Sequence, residues 1–318
     1  MSRPQPARWL IVAAFAAVYF IWGSSYLGIR LATTTIPPFL MMGSRFALAG
    51  AFLMLGARLG GAPLPSGRQW LHAGIVGALL FLINNGILVW ASQHMPSGVL
   101  ALCVASVPMW FALLEWVLLH RRPSVGVIIG LLLGFGGLAL LITPDRMVGG
   151  SDLAQIAGAL VIFGTVAWAA GSLYSRRVDM PRSPAMSTGA QLLTGGVLLM
   201  ALDLVTGEFQ RFQVAGVTAQ SFIAWTYLWV LGSVVAFSAY TFLLRNTPST
   251  QASTYAFVNP VVALILGALF GGEALTSRTI IPAAIIVVAV ALIILSREKP
   301  LPAHEAPLIL SAADSAKR

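Results

Sequence analysis

Apolar runs of about 20 residues follow one another along almost the whole chain, and short polar connectors separate them. A helix needs roughly 20 mostly apolar residues, at a rise of about 1.5 Å per residue, to cross the hydrocarbon of a bilayer. The sequence therefore predicts an all-α integral membrane protein with ten transmembrane helices. The predicted spans are residues 9–29, 39–59, 71–91, 98–119, 125–142, 156–174, 185–205, 222–244, 252–270 and 280–295.

The composition is typical of a chain dissolved in lipid. Hydrophobic residues make up 58% and charged residues only 9%, and the mean hydropathy is +0.87. A soluble domain carries about 25% charged residues. The net charge of +9 does not indicate nucleic-acid binding, because the Lys and Arg residues lie in short connectors and not on a polar face.

The distribution of positive charge predicts the orientation. Cytoplasmic connectors collect Lys and Arg. With the N-terminus inside, fourteen of these residues lie on the inner side and four lie outside, with Arg45 inside a span. Both termini are therefore predicted to be cytoplasmic. The first apolar run is too long for a signal peptide and is interpreted as a retained span.

The two halves of the chain repeat each other. Residues 22–54 align without a gap to residues 168–200 at an offset of 146, and the offset rises to 152 further on. The identities at the first offset are Trp22/Trp168, Leu27/Leu173, Arg30/Arg176, Pro38/Pro184, Gly43/Gly189, Gly50/Gly196, Leu53/Leu199 and Met54/Met200. Because each half has an odd number of spans, the copies are expected to cross the membrane in opposite senses. We expect repeats at residues 1–145 and 146–296, then a flexible cytoplasmic tail at 297–318.

Aromatic residues at mid-membrane depth are the first candidates for a solute site. Trp22 begins the segment that contains Ser25 and Tyr26, about 20 Å from the start of its helix and away from both interfacial belts. Its repeat partner Trp168 is followed by Ser172. These side chains either line a cavity against which a solute stacks or pack between helices beside small residues.

Amides and prolines within spans are the second group of candidates. Asn84 and Asn85 lie deep in the third predicted helix, where an unpaired amide costs several kcal/mol. Prolines at equivalent positions of the two halves remove a backbone donor and are expected to bend their helices. They either belong to a shared hinge or cavity wall, or serve helix packing alone. This group consists of Ser106, Pro108, Tyr255, Asn259 and Pro260.

Charged residues within spans are few. Arg45 aligns with Gln191 of the other half, and it either snorkels outward or faces the interior and attracts a carboxylate. Glu115 lies near the inner end of the fourth helix. It either forms an interfacial ion pair with Arg121 or Arg122, or it takes part in coupling transport to an ion. Neither a close acidic pair nor a metal-spaced cluster of ligands occurs in the sequence. We expect no enzyme activity, cofactor or metal.

Several motifs in a fixed order resemble the EamA-type branch of the drug/metabolite transporter superfamily. They are the Trp22 to Tyr26 segment, the Pro37-Pro38 and Arg45-Phe46 pattern, the segment from Tyr255 to Pro260, and the segment from Gly272 to Thr276. The resemblance implies a duplicated EamA domain, a bacterial inner-membrane location and a cavity lined by helices one, three, four, six, eight and nine. Trp22, Asn84, Trp168, Tyr255 and Asn259 are the lining residues that it favours.

The resemblance also implies export of amino acids or related metabolites. The candidate site is rich in aromatic and amide groups and poor in fixed charge, which favours a neutral or zwitterionic metabolite moved by alternating access. Efflux of organic cations or multiple drugs is an alternative in the same class. A membrane-embedded sensor or assembly subunit that binds a ligand without moving it is an alternative from another class. The expected partners are a small molecule and the lipid bilayer, with no nucleic acid, and we expect a monomer, with an oligomer left open.

Overall fold

The computed structural model describes residues 6–94, 100, 103–120, 122–141, 152–270 and 277–296, and no strand occurs among them. Each predicted span overlaps described helical residues. In chain order the long helices are α1 Arg8–Ala32, α2 Pro38–Leu59, α3 Gly67–Ala91, α4 Val107–Leu119, α5 Val125–Leu141, α6 Asp152–Ser175, α7 Pro184–Thr206, α8 Ala219–Asn246, α9 Tyr255–Phe270 and α10 Ser277–Leu295. Short helical segments also occur at Phe209–Arg211, Val214–Gly216 and Ser249–Ala252.

Six of these helices are long and apolar enough to cross a membrane: α1, α2, α3, α6, α7 and α8. Shorter apolar stretches occur at Val107–Leu118, Val125–Gly137 and Ala284–Ile293. The all-α membrane fold is therefore confirmed, while the count of ten crossings stays a prediction. The start of the fourth predicted span, Arg121, the motif from Gly272 to Thr276 and the tail at 297–318 lie outside the described residues.

The helix of the fourth predicted span is interrupted just before Pro108, since residues 103 and 104 are helical and precede a turn. Residues 105 and 106 form a turn, and α4 begins at Val107, so Pro108 lies in the first helical turn. Its missing N–H costs nothing at that position, because the first N–H groups of a helix have no partner within the helix. Pro260, its equivalent in the second half, does lie inside a helix, α9.

Both α3 and α8 contain a π-helical segment at equivalent places, Ala78–Asn85 and Leu228–Ala236. In each segment a polar side chain donates to the carbonyl five residues earlier: Asn85 Nδ2 to Leu80 O at 2.7 Å and Ser233 Oγ to Leu228 O at 3.2 Å. Wide helical turns of this kind are rare and are frequently found at functional sites. The two bonds satisfy carbonyls that lipid cannot satisfy.

The crossing of α2 over α7 gives the relation between the halves. A Cβ built on Gly43 would lie 3.0 Å from Gly196 O, and one built on Gly189 would lie 2.8 Å from Gly50 O. An early residue of each helix therefore meets a late residue of the other, so the two helices run antiparallel. Because α2 and α7 are the repeat equivalents of each other, the two copies point in opposite directions.

Other helices complete the bundle around this crossing. Helix α1 packs on α9 and on the long helix α8, while α5 packs on α10. The largest buried cluster of apolar residues joins helices of both halves and includes Phe46, Phe81 and Phe237. The seam between the halves is thus continuous protein interior in which the cavity described below is embedded.

We predict opposite responses to the same substitution at two glycines of α2. Gly50→Ala places a methyl group against the backbone of Leu193 and Gly189, whereas nothing lies within 4 Å of a Cβ at Gly56. Overpacking against backbone costs about 1–3 kcal/mol, so Gly50→Ala lowers the midpoint of thermal unfolding in detergent. Gly56→Ala leaves the midpoint unchanged or raises it, since alanine favours helix. Equal midpoints for the two variants would contradict the close crossing.

Candidate functional site

A cavity lies at the seam between the halves. Its described lining comes from α1, α2, α3, the start of α4, α6, α8 and α9. The space between its lining atoms, including its open mouth, is about 690 Å³. The lining residues are Trp22, Ser25, Tyr26, Ile29, Arg45, Phe46, Phe81, Asn84, Asn85, Leu88, Val104, Val107, Trp168, Gly232, Phe237, Tyr255 and Asn259.

The centre of the cavity wall is a contact between the two repeat-equivalent tryptophans. The rings of Trp22 and Trp168 meet edge to face, with centroids 5.7 Å apart and an interplanar angle of 78°. Residues related by the repeat touch each other only near the axis that relates the halves. Both rings therefore lie where the halves converge.

Tyrosines extend this pair into an aromatic cluster. Tyr255 meets Trp22 edge to face at 4.7 Å, and Tyr240 lies 5.2 Å from Trp22 and 5.4 Å from Trp168. Tyr240 and Tyr255 are in turn 5.7 Å apart. Contacts at these distances stabilise one another through their ring quadrupoles, so the wall is a pre-organised aromatic surface.

The indole N–H groups have protein partners. Trp22 Nε1 donates to Gly232 O at 3.1 Å, in the π-helical segment of α8. Trp168 Nε1 donates to Tyr240 Oη at 3.0 Å, and Ser172 Oγ lies 2.8 Å from the same oxygen. These bonds hold the ring orientations, which leaves stacking as the contact that the two indoles offer to a solute.

Amide groups supply the polar part of the wall. Asn84 and Asn259 are 9% and 3% exposed, and Oδ1 of Asn259 has no hydrogen-bond partner. Asn85 also lines the cavity, but its Nδ2 is occupied by Leu80 O. An unpartnered amide oxygen in a buried wall is an acceptor for a solute N–H or O–H.

Arg45 faces the interior, which decides between the two interpretations of its sequence position. It is 6% exposed, and its guanidinium carbon lies 4.4 Å from the centroid of the Phe46 ring. Nε and Nη1 have no hydrogen-bond partner. Arg45 is also the one residue with a formal charge among the described lining residues.

Four predicted site residues do not line the described cavity. Ser106 bonds Thr165 Oγ1 at 2.9 Å and so joins α4 to α6. Ser172 lies behind Trp168 and supports it through Tyr240. Pro108 and Pro260 act on the backbone of their own helices. The structure thus separates residues that contact the cavity from residues that shape its helices.

Glu115 is also absent from the lining and belongs to a polar cluster nearer one end of the bundle. Ser249 Oγ donates to Glu115 Oε1, Arg176 Nη1 donates to Ser249 Oγ at 2.9 Å, and Arg176 Nη1 lies 4.0 Å from Glu115 Oε1. Of the arginines suggested by sequence proximity, Arg121 lies outside the described residues. The cluster connects the first half to the second.

Helix geometry places this cluster relative to the cavity. Trp168 and Ser172 lie about one turn of 5.4 Å apart on one face of α6, and Arg176 directly follows the end of this helix. Trp168 lines the cavity, Ser172 contacts Tyr240 and Arg176 approaches Glu115. Ser172 with Tyr240, and then the cluster of Arg176 and Glu115, therefore lie between the cavity and that end of the helix.

The sequence did not identify Tyr240, Phe237 and Phe46, which the structure places in or directly behind the wall. Tyr240 lies near the end of its predicted span, where tyrosine is typical of the interfacial belt. It is instead fully buried. The phenylalanines carry no signal that separates cavity lining from lipid contact, because both environments are apolar.

The described lining includes residues from helices one, three, four, six, eight and nine, as the resemblance implied, and from α2, through Arg45 and Phe46. Helix α2 was not among the cavity-lining helices that the resemblance implied. Its contribution is confined to the first half, because Gln191, the equivalent of Arg45 on α7, bonds Ser187 Oγ at 3.3 Å and is not among the lining residues. The polar character of the cavity is therefore asymmetric.

Comparison with known proteins agrees with this architecture. The chain is 36% identical over 292 residues to the inner membrane transporter YedA of Escherichia coli (strain K12), which covers 90% of this chain and 91% of that protein. It is 28% identical over 265 residues to PecM of Dickeya dadantii, covering 82% and 84% of the two chains. A solved crystal structure with 19% identity has the same fold, with a TM-score of 0.71 over 90% of this chain and 97% of that one.

The family comparison covers both halves. The EamA-like transporter family matches residues 8–143 and again residues 155–295. Together with the antiparallel equivalent helices and the cavity at their seam, these two matches confirm the resemblance found in the sequence motifs. The chain belongs to the EamA-like transporter family.

Proposed function

We propose that this protein is an inner-membrane secondary transporter that exports small metabolites, foremost amino acids or related zwitterionic compounds, by alternating access. The observation that carries the proposal is the cavity where the two antiparallel halves meet, with Trp22 and Trp168 in contact at its wall. Inverted repeats supply two equivalent packings of the same halves, which is the geometric basis for opening to either side.

The chemistry of the wall supports a solute with an apolar body and polar ends. Faces of Trp22, Trp168 and Tyr255 suit stacking. Asn259 Oδ1 has a free acceptor position for a solute N–H, and Arg45 contributes donors. A zwitterion offers a group of each kind to these residues.

Efflux of organic cations is disfavoured by the same residues. A cation entering the cavity meets the charge of Arg45 and finds no formal negative charge among the described lining residues. A sensor that binds without transport is disfavoured by the inverted repeat. Counterflow in vesicles separates these alternatives.

Counterflow is the decisive experiment. Proteoliposomes containing the purified protein are loaded with an unlabelled amino acid and assayed for uptake of the same amino acid in labelled form. Parallel vesicles are loaded and assayed with an organic cation. We expect exchange of at least one amino acid and none of the cation. Exchange of no solute by folded protein would refute the transport proposal, and binding without exchange would favour the sensor.

Trp22→Leu is expected to lower counterflow at low solute concentration by roughly ten-fold, because loss of a ring contact worth about 1.4 kcal/mol changes affinity that much. Trp9 lies on the same helix and is 68% exposed, so Trp9→Leu is the matched control and retains the flux. Equal flux from both variants, at equal amounts of folded protein, would remove Trp22 from the site.

We propose that the cluster of Glu115, Ser249 and Arg176 closes the cytoplasmic end of the pathway. Glu115 belongs to the first half and the other two to the second half, and the Glu115 side chain is 8% exposed while that of Arg176 is 28% exposed. A partly exposed pair of this kind is worth up to about 1 kcal/mol. Its loss favours opening at that end.

The closure is tested by thiol accessibility. In a Cys103→Ser, Ser25→Cys background, which places the thiol in the cavity lining, labelling by an impermeant maleimide from the cytoplasmic side is expected to rise about five-fold with Arg176→Gln. Arg182 is exposed beyond the same end of α6, and Arg182→Gln serves as the control. An unchanged labelling rate with Arg176→Gln would exclude the cluster as a closure.

We also propose that both termini are cytoplasmic and that the repeats occupy residues 1–145 and 146–296. The excess of Lys and Arg in alternate connectors supports this orientation. A fluorescent protein fused to the C-terminus is expected to fluoresce, and alkaline phosphatase at that position is expected to be inactive. Alkaline phosphatase fused after Thr35, in the first outer connector, is the control and is expected to be active. The reverse pattern would overturn the orientation.

A further inference from the structure

The guanidinium of Arg45 is an unusual group to find in a membrane interior. It lies seven residues inside α2, about 10 Å from the start of the helix. Its Nε and Nη1 donate no hydrogen bond to the protein, and the ring of Phe46 lies 4.4 Å away. Arginine keeps its charge at neutral pH and has donors only. A buried charge in this state is costly until an acceptor with negative charge approaches.

Packing of the helices does not require the charge. The repeat-equivalent position on α7 is Gln191, which is 3% exposed and donates to Ser187 Oγ. The same helix crossing is therefore built on the other half with a neutral side chain that finds its partner inside the protein. Arg45 differs in chemistry, in its unpartnered nitrogens and in lining the cavity.

The charge balance of the cavity indicates the sign of the missing partner. Among the described lining residues Arg45 is charged and the others are neutral. The ion pair of Arg176 with Glu115 lies away from the lining. A negatively charged group that enters the cavity is therefore attracted by an uncompensated cation in surroundings of low polarity, where such attraction is strong.

We propose that Arg45 is the anion-binding group of the cavity and that it selects solutes carrying an oxyanion, in the first place a carboxylate, attached to an apolar body. The oxyanion accepts hydrogen bonds from the guanidinium while the body contacts the aromatic wall of Trp22, Trp168 and Tyr255. This inference rests on the proposed function only in taking the cavity as the solute site, and it is tested by binding without transport.

The first test uses the unmodified full-length protein in nanodiscs and matched pairs of ligands. Each pair is a carboxylic acid and its neutral amide: benzoate with benzamide, 3-phenylpropionate with 3-phenylpropionamide, and hexanoate with hexanamide. Affinity is measured by calorimetry or by quenching of tryptophan fluorescence. We expect at least one acid to bind about ten-fold or more tightly than its amide, the range for a hydrogen-bonded charged group. The cation 3-phenylpropylamine is expected to bind more weakly than 3-phenylpropionate.

The second test uses variants on the same helix. Arg45→Gln is expected to reduce the affinity for the acid to that for its amide, and Arg45→Lys is expected to retain part of the preference. Arg58 is exposed near the other end of α2, so Arg58→Gln is the matched control and retains the full preference. Monodisperse elution and the thermal midpoint of each variant establish that the protein is folded.

Three results overturn the proposal. They are equal affinity for acid and amide throughout the set in the unmodified protein, an unchanged preference in folded Arg45→Gln, and tighter binding of the amine than of the acid. Chloride and inorganic phosphate are each tested alone, because an inorganic anion is the other ligand that could supply the negative charge. Binding of these ions with no acid preferred to its amide assigns Arg45 to an inorganic anion and overturns the selection of organic solutes. Absence of counterflow with an intact acid preference contradicts transport but leaves the role of Arg45 standing.

Discussion

The close antiparallel contact between α2 and α7 is the constraint on which the rest of the architecture depends. Lipid offers no hydrophobic driving force between helices, so association depends on packing, and glycines let the backbones approach. Gly43 faces Gly196 and Gly189 faces Gly50 in reciprocal fashion. This reciprocity fixes the local twofold relation, and the contact of Trp22 with Trp168 follows from the same relation.

Buried polar groups in the bundle either have a hydrogen-bond partner within the protein or lack one, and the second state costs free energy in surroundings without water. Most have a protein partner, as Asn85 and Ser233 do in the π-helical segments and Glu115 does at Ser249. Unpartnered buried polar atoms also occur at His72 and Asp203, away from the described lining, and at Arg45 and Asn259, which line the cavity. Because an unsatisfied buried group is costly, Arg45 and Asn259 are the two lining residues to which the proposed solute would offer partners.

Much of the candidate site was predictable, for a definite reason. Trp22, Trp168 and Asn84 lie too deep in their spans to belong to the interfacial aromatic belt or to reach the interface by snorkelling. Their depth alone therefore indicated a contact inside the bundle or a place in a cavity wall. Tyr240 lies near the end of its span and was therefore indistinguishable from an interfacial tyrosine. Sequence does not show where a helix is interrupted, so only the structure placed Pro108 in the first turn of α4, just after the turn at residues 105 and 106. The π-helical segments leave no mark on apolar periodicity.

The sequence by itself determined the apolar spans, the duplication and the family, because these depend on composition and order along the chain. Only the tertiary structure decided which polar groups find partners and which remain open. Arg45 shows the difference: its sequence position is compatible with the interface or with the interior, and the choice depends on neighbours contributed by distant parts of the chain. Glu115 likewise meets Arg176 and Ser249 of the other half, since contacts across a bundle are set by helix packing and not by separation in sequence.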